Sequence, residues 1–183
     1  MPGEPELLAL IAGQPQRLHL LRVVRDHGPQ GAWIAAGFVR NVVWDALHGY
    51  DEPTPLSDID VLYFAADNLE PEADCAWERR LLEACPDQPW SVRNQARMHL
   101  RNGDAPYRDC GDAMCHWVEV SAAVAVRLLG ESLELLAPLG IDDIWQLRVR
   151  PTEHFRAKPQ IYRERIAAKN WPARWPKLHI ETL

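Results

Sequence analysis

Asp58 and Asp60 stand one residue apart in PLSDIDVLYF, at the head of an apolar run. In an extended strand, residues two apart point the same way and lie about 7 Å apart along the backbone. Carboxylates so placed at the mouth of a buried strand carry a desolvation cost that a partner has to offset. A divalent cation answers that need: magnesium takes hard oxygen ligands at about 2.1 Å, commonly one or two carboxylates completed by water and substrate phosphate. The pair therefore predicts a Mg2+ (or Mn2+) site that works on a phosphorylated substrate, with Asp58 and Asp60 as the ligands.

A phosphate needs a cradle, and AWIAAGFVRNVVWDALHG supplies one just upstream. The first half reads as a short strand ending at Gly37. Phe38, Val39, Val42, Val43, Ala46 and Leu47 then recur at helical spacing until Gly49 closes the helix. A helix N-terminus offers free N–H groups and a favourable dipole to an anion, and Gly37 lets the backbone come close. Arg40 and Asn41 fall in the first turn, where a guanidinium forks two phosphate oxygens and an amide adds one more bond. Both are expected to hold the oxygens of a bound phosphate. Each half is common by itself, since D-x-D opens many solvated strands and Arg40 could pair with Asp45 on a helix surface. The order joins them: strand, glycine turn, helix, D-x-D strand, third strand.

The elements that must position these groups follow from the same patterning. Residues 7–11 and 18–26 read as helical, the second stopped by His27, Gly28 and Pro29. A helix is expected over 72–84, then a third strand, WSVRNQARMHL. AVAVRLLGESLELLAP alternates about Gly130 and Glu131 as a hairpin. IDDIWQLRV reads as a short helix opened by Asp142, QIYRERIAAKNW as a basic amphipathic helix, and PARWPKLHI as an extended tail. No repeat or low-complexity tract interrupts the chain. With 183 residues, 47% of them hydrophobic, one domain is expected over 1–183, its core at about 30–150 and 151–183 packed on it.

Charge is unevenly spread: residues 1–145 hold 11 Lys+Arg against 23 Asp+Glu, and 146–183 hold 9 against 3. An acidic body disfavours a long nucleic acid, whose binding rests on neutralising many phosphates, whereas a basic tail suits one small anionic ligand. Lys169 and Lys177 are the tail cations expected near a triphosphate, with Trp171 and Trp175 as docking anchors. No apolar stretch nears the roughly 20 residues that span a bilayer, so no membrane role and a cytoplasmic location are expected. The four cysteines lack the density of a disulfide scaffold, and Cys110, Cys115 and His116 lack the paired spacing and fourth ligand of a zinc site.

AAGFVRNVVWDALHGY followed by PLSDIDVLYF resembles the nucleotidyltransferases of the DNA polymerase β-like superfamily. SVRNQARMH, GIDDIW with RVRP, and YRERIAAKNW with WPKL resemble more closely a bacterial nucleotidyltransferase family. The likeness runs from about residue 32 to 178. It implies an α+β fold, a small mixed sheet flanked by helices, carrying a C-terminal hairpin and the basic helical tail. It also implies transfer of a nucleoside monophosphate from a triphosphate such as ATP to an acceptor, a small molecule or a protein. In that superfamily a third carboxylate stands on the next strand, but WSVRNQARMHL contains no acid. Two residues could take its place: Asn94, on that strand, and Glu119, in HWVEVSAAVAV. Only Glu119 could act as a general base. The alternative is a catalytically incomplete nucleotide-binding module or toxin-antitoxin component; a third, weaker possibility makes the tail an RNA contact.

Overall fold

The structure, a computed structural model, describes residues 2–183. Along the chain run α1 (Glu4–Ala12), α2 (Pro15–His27), β1 (Trp33–Ala35), α3 (Gly37–His48), β2 (Ile59–Tyr63), α4 (Pro71–Ala84), β3 (Trp90–Asn94) and α5 (Gln95–Asn102). They are followed by α6 (Cys110–Met114), a 3-10 turn (Val120–Ala122), β4 (Ala125–Leu129), β5 (Ser132–Leu136), α7 (Asp142–Trp145) and β6 (Arg148–Val149). The chain ends with α8 (Glu153–Arg156), α9 (Pro159–Lys169), a second 3-10 turn (Trp171–Ala173) and β7 (His179–Ile180).

Five strands form one sheet in the order β3-β2-β1-β4-β5. Neighbours are antiparallel except β2 and β3, which run parallel and are joined by the α4 crossover. Its two faces are unlike. Ile34, Ile59, Val61, Val92 and Val126 belong to the large core that also buries Leu7, Leu21, Phe38, Val43 and Leu81 from the helices. Ala35, Leu62 and Ala125 belong to a smaller cluster with Met114, Ala122 and Ala123. Ala35 lies opposite both Asp60 and Ala125, so Asp60 shares this second face. The alanines leave a low floor beside the carboxylate.

Two elements depart from the sequence reading. The third strand stops at Asn94, whose side-chain oxygen accepts from the Ala96 N–H as a helix cap. The residues QARMHLRN therefore turn into α5, which closes on Gly103 in the left-handed region. The tail is not simply extended: it makes a 3-10 turn and then pairs β7 in parallel with β6. The short helices α6 and α8 have too few residues to show a period in sequence.

The tail docks through aromatic rings. Trp171 and Trp175 meet Trp44 edge-on, with centroids 5.7 and 5.1 Å away, contacts typically worth about 0.5–1.5 kcal/mol each beyond the area they bury. The Trp175 indole N–H donates to Asp45 Oδ1 at 2.8 Å, and the Thr54 N–H and hydroxyl donate to the same carboxylate. Asp45 thus ties α3, the loop before β2 and the tail together. It is not a surface partner for Arg40.

Candidate active site

Asp58 is exposed and accepts from the Ser57 hydroxyl at 3.0 Å. Asp60, one residue into β2, is half-buried. Burial foremost, and then the nearby charge of Asp58, pushes its carboxyl up to about 6, against the opposing pull of Arg40, Lys169 and Arg165. One end of the sheet therefore gathers two acids and three cations, drawn from the loop into β2, β2 itself, α3 and α9.

The turn into α3 is built differently from the sequence expectation. Ala36, not Gly37, takes the positive φ, at φ 55 and ψ -119. This is a costly conformation for a residue with a Cβ, held by the Ala36 N–H bond to the Val124 carbonyl at 2.8 Å. Gly37 serves by its missing side chain: a Cβ there would rest on Arg40 Nη2 and on the Asn41 amide at 3.4–3.5 Å. It would fill the hollow over both residues. Nothing in the sequence marked Ala36, since alanine is not a usual left-handed residue.

Arg40 is buried, its guanidinium lying over the rings of Trp171 at 4.6 Å and Trp44 at 5.0 Å. Its Nε donates to Asn41 Oδ1 at 3.3 Å, while Nη1, also buried, has no hydrogen-bond partner among the described residues. Burial lowers its ionisation to about 10, with Glu119, Asp60 and Asp58 working the other way, so it stays charged at neutral pH.

Glu119 is fully buried. Its Oε1 accepts from Arg165 Nε, and its Oε2 has no partner among the described residues. Asn94 is committed elsewhere: it accepts from the N–H groups of Ala65 and Ala96 and donates to the carbonyls of Ala65 and Asn68. Arg97 pairs with Asp74. Arg165 went unremarked in the sequence; its only signal was its place four residues before Lys169, on the same helical face.

Two clefts flank the D-x-D strand. One, of about 690 Å³, is lined by Gly37, Arg40, Asn41, Asp58, Lys169 and Arg174. The other, of about 510 Å³, has Asp60, Glu119 and Arg165 along its wall, together with Trp117 and Lys158. Of the two lysines expected near a triphosphate, Lys169 lines the first cleft. Lys177 does not: its ammonium donates to the Leu47 carbonyl at 2.8 Å, at the C-terminal end of α3. A helix of 12 residues puts that end about 16 Å from Gly37. The reason is electrostatic, since a helix C-terminus attracts cations as its N-terminus attracts anions.

A mixed sheet that sets a D-x-D strand beside a glycine-opened helix defines the polymerase β-like nucleotidyltransferase class. The chain belongs to a nucleotidyltransferase family whose model it matches over residues 22–180. A solved NMR structure described as revealing a CCA-adding enzyme head domain is similar, with TM-score 0.85 and 34% identity, covering 98% of this chain and 96% of that one. A tRNA-processing enzyme in an apo form shares the fold, with TM-score 0.52 and 15% identity, covering 88% of this chain but only 44% of that one. No curated protein matches the chain. The fold is thus α+β of the nucleotidyltransferase type, and the protein is a nucleotidyltransferase. No helix among the described residues is long and apolar enough to cross a membrane.

Proposed function

We propose that this enzyme transfers a nucleoside monophosphate from a nucleoside triphosphate to an acceptor, the triphosphate lying in the Asp58 cleft and the acceptor in the Asp60 cleft. The observation that carries the reading is the convergence of Asp58, Asp60 and Glu119 on a group of cations, with Glu119 Oε2 and Arg40 Nη1 both buried and without a partner among the described residues.

The residues fit a hard divalent cation. Asp58 and Asp60 offer oxygen donors, and a cation would favour the ionised form of Asp60 that burial opposes. Such an ion, Mg2+ or Mn2+, would neutralise phosphate charge and polarise the phosphorus under attack. The chain's own groups do the rest. Gly37 and the first N–H groups of α3 receive phosphate oxygens, Arg40, Asn41 and Lys169 hold the outer phosphates, and the Trp44 and Trp171 rings keep the Arg40 guanidinium in place. Glu119, oriented by Arg165, can take the proton of an attacking hydroxyl at its free Oε2. Catalysis is then mainly positioning and charge neutralisation.

The acceptor is a small molecule or a protein side chain. The acidic body and the engagement of tail cations in ion pairs, Arg148 and Arg150 with Asp143 and Arg156 with Glu181, leave little surface for tracking a polynucleotide. Incubation with α-labelled triphosphates, Mg2+ or Mn2+ and a fractionated cell extract tests the reading. Metal-dependent transfer of label with release of pyrophosphate supports it. Unaltered metal-dependent nucleotide binding in Asp60→Asn, by calorimetry, would end the assignment of the pair.

A further inference from the structure

Beyond the reaction site, three metal-capable side chains converge from three separate segments: Asp104 after α5, His116 after α6, and His154 in α8. One ligand atom of each lies within 4.8 Å of the others, and all three residues are half-buried. Their hydrogen bonds determine which atoms are free. The His116 Nδ1 sits 3.0 Å from the Asp112 carbonyl, an acceptor only, so Nδ1 carries the proton and Nε2 the lone pair. The His154 Nε2 is 2.9 Å from the Lys158 ammonium, a donor only, so that nitrogen too presents its lone pair. Tyr107 donates to Asp104 Oδ2, itself receiving from the Asn102 amide at 2.9 Å, which leaves Oδ1 facing His154 Nε2 at 3.6 Å.

One ligand atom of each residue lies within 4.8 Å of the others, with the Lys158 ammonium already against His154 Nε2, so the cluster is suited to hold a cation. Tetrahedral ligands at about 2.0–2.1 Å from a metal lie about 3.4 Å apart, close to the Asp104–His154 separation; the His116 ring has only to close the rest. Two imidazoles and one carboxylate suit zinc, cobalt or nickel and are too nitrogen-rich for magnesium. The hydrogen bonds to His116 and Asp104 also provide the outer support that orients metal ligands.

We propose that Asp104, His116 and His154 form a transition-metal site, selective for zinc-like dications and distinct from the D-x-D pair, in which the metal displaces the Lys158 ammonium. His116 and Lys158 both line the Asp60 cleft. Metal binding would thus pin three segments at that cleft's wall and release one cation beside it. The three protein ligands leave a fourth position for water or another donor.

The test uses the full chain dialysed against Zn2+ in excess Mg2+, with bound metal measured by mass spectrometry and the Co2+-loaded form by visible absorption. One bound zinc is expected, kept in the Asp58→Asn, Asp60→Asn double variant, lost in the His116→Ala, His154→Ala double variant, and bound more tightly in Lys158→Met. The Co2+ spectrum should lack a thiolate charge-transfer band. Circular dichroism of the His variant guards against misfolding, and the Lys158→Met result stands independently of it. Absence of zinc in both the parent and Lys158→Met overturns the proposal. So does zinc retained without the histidines, or a thiolate band that moves the metal to Cys110 or Cys115.

Discussion

Arg165 donates its Nε to one oxygen of the fully buried Glu119 and leaves the other oxygen without a partner among the described residues. A carboxylate held at one oxygen and free at the other is oriented yet able to accept a proton. Glu119→Gln keeps the shape and removes the base. Turnover should fall at least about 100-fold, the lower end of a general base's contribution, while triphosphate binding persists. Single-turnover transfer rates set beside calorimetric affinity check this, and an unchanged rate would remove Glu119 from the mechanism.

Asp60 gives a stability effect of unusual sign. Its folded-state carboxyl is raised from the ordinary 3.8 to about 6, so the native state disfavours the ionised form. The penalty is absent below about pH 4, grows as pH rises toward 6 and is complete above that. Asp60→Asn should therefore stabilise the metal-free protein at pH 7.5 by roughly 1–3 kcal/mol and leave it little changed at pH 4. Urea melts at the two pH values test it. Divalent cation affinity of the parent should rise with pH through the same range, as proton and metal compete for the carboxylate.

Arg40 both binds and packs, and two substitutions separate the roles. Arg40→Lys keeps a charge between Trp44 and Trp171 but loses the fork; triphosphate affinity should drop about 10- to 100-fold, the equivalent of roughly 1.5–3 kcal/mol. Arg40→Ala, which removes the charge as well as the fork, should lose at least that much affinity and, in addition, thermal stability, because the two indoles lose their partner. Equal affinity in Arg40→Lys and parent would reduce Arg40 to a packing residue.

The two tail lysines should behave oppositely. Lys169→Ala weakens triphosphate binding with little change in Tm. Lys177→Ala leaves binding intact and costs about 0.3–1 kcal/mol of stability, the worth of a cation at a helix C-terminus. Fluorescent-nucleotide titration and thermal melts on both variants decide between the ends of α3.

Ala36→Gly should stabilise the protein by about 1 kcal/mol, since relief of roughly 1–3 kcal/mol of backbone strain exceeds the entropy that glycine adds to the unfolded chain. A fall in turnover alongside the gain would show that the strained turn also sets the aim of the α3 N-terminus.

What could be read from the residues alone was what local chemistry dictates. The D-x-D strand, the helix from Gly37 to His48 and the hairpin about Gly130 each follow from period and punctuation within a dozen residues. Tertiary structure decided everything that depends on residues distant in sequence. The strain at Ala36 is imposed by a bond to Val124, the strand ending at Asn94 reflects a cap tied back to Ala65 and Asn68, and Glu119 is oriented by an arginine 46 positions away. The fate of the two lysines makes the same point. Both carry the same charge in the same basic tail, but the docking of Trp171 and Trp175 on Trp44 sends Lys169 to the cleft and Lys177 to the far end of α3, because a rigid packed tail has one register and composition does not encode it.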